Sequence, residues 1–453
     1  MASEDILMKT IKSAAIFLLI CFCNVGSAAD YLVMDDEVET FLTDIVGKIK
    51  DAMHFQRDIK VYISSDQSIN AAAIETGDIV VNAGALVQIK NYEELIAILA
   101  HEVGHIEGQH IPTLLAHRTD FARAGLVTAL LGAITSVCAG STAPLIAGAM
   151  GGTSISTSMA LGKMRQNENI ADTKAAEAIK RLKWPVLSGF VSIHEKFASR
   201  TVSYNKYFST HPPSEDRISK FRKYYAAEKE HSAPKDVVAL MERYKQTFEI
   251  ARYKMQALTM PPEQLQFFCK SPKTLSEKYA RAIALYRLDK YREAVELINQ
   301  LIAAGNGDRA YYAEIKCMSL INLKRCAEAA NIARDILKGD RNTKTHRDLA
   351  IIYAAAVVAG NLKAHLQSAA KALRKVLVLH ENDVTALNTL GKIYSMSGDQ
   401  QKANLCAAEV AMQMGDTQTA KIHAQKAVIG TDAPTKRRAQ DILDTAGEEE
   451  AEE

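Results

Sequence analysis

Five residues of this 453-residue chain, His101-Glu102-Val103-Gly104-His105, have the types and spacing of a metal-dependent hydrolase. They lie in the stretch 92–109, which has the pattern of a helix. Residues four apart share a helix face, so both imidazoles can reach one metal ion, while Glu102, one step on, points at the ion's open position as a general base. A catalytic zinc takes three protein ligands and leaves one position for water. A metzincin would place its third histidine at position 111, but 111 is Ile and the histidine is His110, one step out of register. A carboxylate from a later helix is the other solution. Glu168 in Arg165-Gln166-Asn167-Glu168-Asn169-Ile170-Ala171-Asp172 fits it. Asp172, four residues on and on the same face, is placed to accept the outer N–H of a zinc histidine and fix its tautomer. The expectation is one zinc ion per chain, held by His101, His105 and Glu168, with His110 and His117 read as structural.

Several elements must position these groups. Apolar residues recur at helical spacing from Asp36 to Met53, and Ile59-Lys60-Val61-Tyr62-Ile63 alternates like a strand. A hairpin is expected next, with Asn70–Ile74 and Asp78–Asn82 joined at Thr76-Gly77. Asn91 and Glu94 form a capping pair for a helix that begins at Tyr92. Residues 124–162 carry no charged side chain and are broken by glycines and Pro144. Two readings compete for them: helices buried against the site or acting as a lid, and helices touching a membrane surface. The first is favoured, because an interfacial helix would show Lys or Arg on one face.

Composition bounds the rest. With 48% hydrophobic and 24% charged residues, the chain has material for two or three domains and too many charges for a polytopic membrane protein. Aromatics are only 6%, which favours helix-on-helix packing. The 55 basic and 53 acidic side chains include no polybasic run with aromatic interleaving, so nucleic acid is not an expected partner. Lys9 and Lys12 precede an uncharged run ending in Gly26-Ser27-Ala28-Ala29, the pattern of a secretory signal peptide over 1–29. Five cysteines follow it, Cys138, Cys269, Cys317, Cys326 and Cys406, none with metal-binding spacing. Beyond about residue 270 the chain reads as repeated helical pairs. Leu390-Gly391-x-x-Tyr394 with Ala403 matches a tetratricopeptide unit, and Tyr291 with Ala294 recurs as Cys326 with Ala329, although Arg341–Leu373 fits poorly.

The whole set resembles the zinc peptidase family that includes the prenyl-protein (CaaX) protease and the heat-shock membrane protease HtpX, and most closely its secreted, tetratricopeptide-carrying, BepA-like members. The residues that carry the resemblance are Asn70-Ala71-x-Ala73, Gly77-x-Ile79-x-Val81-x-x-Gly84-x-Leu86, the His101–His105 helix with His110 after it, Glu168-x-x-Ala171-Asp172, and Thr210-His211-Pro212 followed by Arg217-Ile218. Met164 and Ile170 depart from the pattern at positions that are not ligands. The resemblance implies that His101, His105 and Glu168 bind zinc, that Glu102 is the base and that Asp172 supports a ligand. It also implies that His211 and Arg217 approach the metal, with His211 stabilising the oxyanion or occupying the open zinc position in a latent state. The expected fold is mainly α with a small β-sheet: an α+β zincin-type peptidase domain over 30–268, an all-α tetratricopeptide-repeat solenoid over 269–446 and an acidic tail over 447–453. The implied function is a periplasmic zinc endopeptidase for unfolded or misassembled proteins. Its expected partners are polypeptide substrates and, through the repeats, the outer-membrane protein assembly machinery, with peripheral membrane contact through 124–162 as a further implied contact. The competing class is a chaperone-like repeat scaffold with a latent metal site.

Overall fold

The computed structural model describes residues 31–74, 76–110, 154–198, 211, 215–228, 232–305, 308–339 and 346–452. The leader and residues 124–153 of the uncharged segment 124–162 lie outside the described residues, as does Cys138. The chain divides into two compact units, Ala29–Thr259 and Met260–Glu453. Among the described residues, no helix is long and apolar enough to cross a membrane.

The first unit opens with α1, Asp36–Ala52, started by Asp35, whose carboxylate accepts from the Val38 amide at 3.0 Å. Three short strands follow: β1 (Val61–Ser64), β2 (Ala71–Ala73) and β3 (Ile79–Asn82). The sheet order is β1-β3-β2, with β1 parallel to β3 (Val61 opposite Ile79) and β2 antiparallel to it (Ala71 opposite Val81). Gly77 turns the expected hairpin at φ +72°, a left-handed conformation that glycine adopts without steric cost. Helix α2 (Ala83–Gln88) leads to α3 (Tyr92–Glu107).

Helix α3 begins at the expected residue, because the Asn91 side chain accepts from the Glu94 amide at 2.9 Å. The reciprocal half of the cap differs from expectation: Glu94 turns back to the Lys90 amide at 3.1 Å, one residue earlier, and also accepts from the Ser192 hydroxyl at 2.5 Å. Buried side chains run continuously from Glu94 to Ile106, so α3 is a central helix, enclosed by α1, β2 and the later helices α4 (Ser154–Leu182) and α5 (Leu187–Ala198). Helices α6 (Glu215–Glu228) and α7 (Lys235–Thr259) complete the unit. Buried Lys254 ties α7 to α1 through Asp35 and Glu37, each 2.8 Å away.

The second unit starts with a single turn, α8 (Pro262–Leu265), and continues as helices in succession: α9 (Leu275–Arg287), α10 (Tyr291–Ala303), α11 (Arg309–Asn322), α12 (Cys326–Gly339), α13 (Arg347–Ala359), α14 (Leu366–Leu379), α15 (Val384–Met396), α16 (Gln400–Gln413), α17 (Thr417–Val428) and α18 (Ala433–Glu452). Each of these ten, from α9 to α18, packs on the next. Tyr291 and Cys326 open α10 and α12, and Ala294 and Ala329 one turn later are fully buried, so the sequence repeat marks equivalent contacts. Before α14 stands an extra 3-10 turn, Lys363–His365, inside the stretch that fitted the repeat poorly. Cys269, Cys317, Cys326 and Cys406 are free thiols.

The crossing of α3 and α4 leaves no room at Gly104: a Cβ there would stand 2.6 Å from the Ala171 carbonyl oxygen and 3.0 Å from its Cα. Gly104→Ala is therefore expected to cost about 1–3 kcal/mol by forcing the two helices apart. Chemical denaturation would show this as a lower midpoint at unchanged slope, and an unchanged midpoint would mean that the helices part freely.

Candidate metal centre

Helices α3, α4 and α6 and the single residue His211 bring every predicted site residue together. His101, Glu102 and His105 come from α3, Glu168 and Asp172 from α4, and Arg217 from α6. None of the seven is more than 9% exposed. Helix α6 is set in place by its own apolar face: Phe221, one turn beyond Arg217, stacks on Phe190 of α5 with ring centroids 4.4 Å apart.

The donor atoms converge. Ligand atoms of His101, His105, Glu168 and His211 all lie within 4.8 Å of one another. His101 Nε2 stands 3.0 Å from His105 Nε2, 3.1 Å from His211 Nδ1 and 3.3 Å from Glu168 Oε2. Glu168 Oε1 is 3.1 Å from His105 Nε2 and 3.0 Å from His211 Nδ1. Ligands about 2.0–2.1 Å from a tetrahedral ion stand about 3.3 Å apart, so these separations fit one bound metal. The chemistry agrees: His101 Nε2 faces imidazole nitrogens of both His105 and His211 at hydrogen-bond distance, and one cation can satisfy lone pairs from all three rings where one proton cannot.

Charge is arranged around Glu168. Burial alone would raise its pKa, but the charge on His101 and hydrogen bonds from His101, His105 and His211 hold it far below the usual carboxylate range. Burial works in the opposite sense on His101, yet the Glu168 charge, helped by Asp172, pushes the imidazole up to about 10. Burial lowers His105.

The surrounding contacts hold the ligands. Asp172 Oδ1 lies 2.9 Å from His101 Nδ1, the arrangement expected from the spacing of Glu168 and Asp172. Arg217 grips both carboxylates from behind: Nε and Nη2 donate to Asp172 at 2.7 and 2.9 Å, and Nη1 lies 2.9 Å from Glu168 Oε2. A guanidinium so placed favours the charged form of both acids. Glu102 accepts from the Ala73 amide at 3.1 Å through Oε2. Its Oε1 is buried without a hydrogen-bond partner, 3.5 Å from His211 Nε2. Two contacts were not read from the sequence: the Ala73 amide on Glu102, and His110, whose Nδ1 lies 2.9 Å from His105 Nδ1.

A helix bearing two histidines four apart, crossed by a second helix that supplies Glu168 and Asp172, is the arrangement expected of a gluzincin-type metallopeptidase. Residues 36–225, which hold the whole site, match the model of Peptidase family M48. The relatives agree. The chain is 26% identical over 283 residues to a beta-barrel assembly-enhancing protease of Yersinia pestis, covering 60% of this chain and 55% of that protein. It is 22% identical over 422 residues to the protein of the same name from Escherichia coli K12, covering 85% and 80%, and 25% identical over 291 residues to a putative beta-barrel assembly-enhancing protease of Vibrio cholerae, covering 60% and 56%. The match thus spans little more than half the length of the Yersinia and Vibrio relatives.

Removing the carboxylate behind His101 is expected to loosen the metal. Asp172→Ala should lower metal affinity by about 10–100-fold, read by competition with a chromophoric chelator. Unchanged affinity would show that Asp172 does not orient the imidazole.

Proposed function

We propose that this chain is an exported zinc endopeptidase that cleaves unfolded or misassembled polypeptides in the periplasm, as part of outer-membrane protein quality control. The observation that carries the reading is the buried four-donor cluster with Glu102 beside it, one carboxylate oxygen held by a strand amide and the other facing His211 Nε2 at 3.5 Å. A zinc ion held by His101, His105 and Glu168 would supply Lewis-acid activation of water and of the scissile carbonyl. Glu102 takes the proton of the attacking water and returns it to the leaving amine. Its grip on the Ala73 amide orients the carboxylate for both transfers.

The substrate has a place to lie. Strand β2 is an edge of the sheet, and the flanking Asn70 and Ile74 bond toward the β3 side, so Ala71 turns its backbone N–H and C=O, and Ala73 its C=O, to an edge that no other strand pairs among the described residues, while the Ala73 amide is held by Glu102. An extended segment would pair there through backbone bonds, a mode that reads exposure more than side-chain identity. The relatives' name, beta-barrel assembly-enhancing protease, supports assembly machinery of the outer membrane as the partner of a repeat domain over 269–446. The signal-peptide pattern of 1–29 supports export.

A second reading concerns the resting state. His211 Nδ1 stands among the ligand atoms, in the place that water and a substrate carbonyl would need, so His211 closes the site until it is displaced. Two variants separate these roles. Glu102→Gln is expected to keep its metal and to lose about 10²–10⁴-fold in cleavage of an unfolded substrate. If Glu102→Gln cells turn over substrate normally while a repeat-domain deletion abolishes function, the protein is a scaffold. His211→Ala should cleave faster than the parent if His211 only blocks the metal, and a slower variant would place the imidazole in the chemistry.

A further inference from the structure

We propose that His110 is the positioning residue for His105, holding the outer nitrogen of that ligand as Asp172 holds the outer nitrogen of His101. The inference rests on the zinc reading above and concerns a residue to which that reading gives no role.

Each histidine that binds a metal through one ring nitrogen presents an N–H at the other, and the partner of that N–H fixes the ring's tautomer and tilt. For His101 the partner is Asp172. His105 turns Nε2 toward Glu168, so its outer nitrogen is Nδ1, and the atom that meets it is His110 Nδ1 at 2.9 Å. With His105 donating from Nδ1, His110 accepts with a bare Nδ1 and keeps its own proton on Nε2. The two rings meet edge to face, with centroids 5.0 Å apart.

The chain is bent to make this contact. Helix α3 stops at Glu107, and Gln109 takes a left-handed φ of +52°, which folds residue 110 back over the last turn. Gly108 is the only residue type that leaves room for the returning ring: a Cβ at 108 would stand 2.5 Å from His110 Nε2 and 2.7 Å from its Cε1. His110 is 6% exposed, which shields the bond from water. The two zinc histidines are thus supported by different chemistry, one by an anion and the other by a neutral imidazole.

The test measures zinc affinity of the full chain by chelator competition, alongside thermal melting of the zinc-free protein. His110→Ala and His110→Leu are expected to bind zinc about 10–100-fold more weakly, and His110→Asn, whose Oδ1 can take the place of Nδ1, to stay within about threefold of the parent. Gly108→Ala, which pushes the ring away and leaves His110 intact, should weaken zinc in the same direction. Parental affinity in His110→Leu, or an Asn variant as weak as Ala, would overturn the inference and leave His110 as filling. A parent protein that binds no zinc would overturn the functional reading and this inference with it.

Discussion

A carboxylate taken out of water and surrounded by three imidazoles and a guanidinium is the constraint on which the first unit depends. Glu168 cannot be buried alone, since the desolvation of an unpaired anion would outweigh any packing gained there. His101, His105, His211 and Arg217 compensate it, and each arrives on a separate structural condition. The two α3 histidines reach it because α3 and α4 touch at Gly104 and Ala171. Arg217 reaches it because Phe221 and Phe190 stack. The same contacts that make the anion tolerable create a site for a divalent cation, so the burial cost and the metal affinity have one origin.

Much of this was legible in the sequence because it depends on local spacing. Two histidines four apart on a helix must share a face, and so must Glu168 and Asp172, whatever the rest of the chain does. Gly77 announced the hairpin, and Asn91 the first residue of α3, because turn and cap chemistry are set by neighbouring residues. The parts that were missed depend on distant partners or on a single dihedral angle. Nothing near Ala73 signals that its amide meets Glu102, twenty-nine residues later. His110 read as structural because its spacing fails as a ligand pattern, and only the reversal at Gln109 shows that its ring meets His105 Nδ1. The stretch Arg341–Leu373, which fits the repeat poorly, also holds the 3-10 turn Lys363–His365 between α13 and α14.

The scarcity of aromatic residues takes on a physical meaning in the second unit. Its helices pack through alanines that are fully or nearly fully buried, among them Ala329, Ala333, Ala369, Ala408, Ala420 and Ala424, with larger aliphatic residues between them. At Gly391 the helices come so close that a Cβ would stand 3.2 Å from the Cys406 Cβ. Such packing gains its stability from many small contacts along the succession of helices, so the unit is regular without a large aromatic core. The first unit uses its aromatics differently, as inter-helix anchors: Phe190 stacks on Phe221 of the helix that carries Arg217, and Tyr244 packs edge-on against Phe41 of α1.

The central claim is that His101, His105 and Glu168 together hold one zinc ion. Zinc-edge X-ray absorption of the purified, zinc-loaded chain tests it most directly, with metal content measured on the same sample. The account predicts one zinc per chain, with nitrogen and oxygen ligands at about 2.0–2.2 Å, imidazole scattering beyond them and no sulfur. It also predicts that the signal is lost in Glu168→Ala. Thiolate coordination, or a spectrum and stoichiometry unchanged by Glu168→Ala, would contradict it.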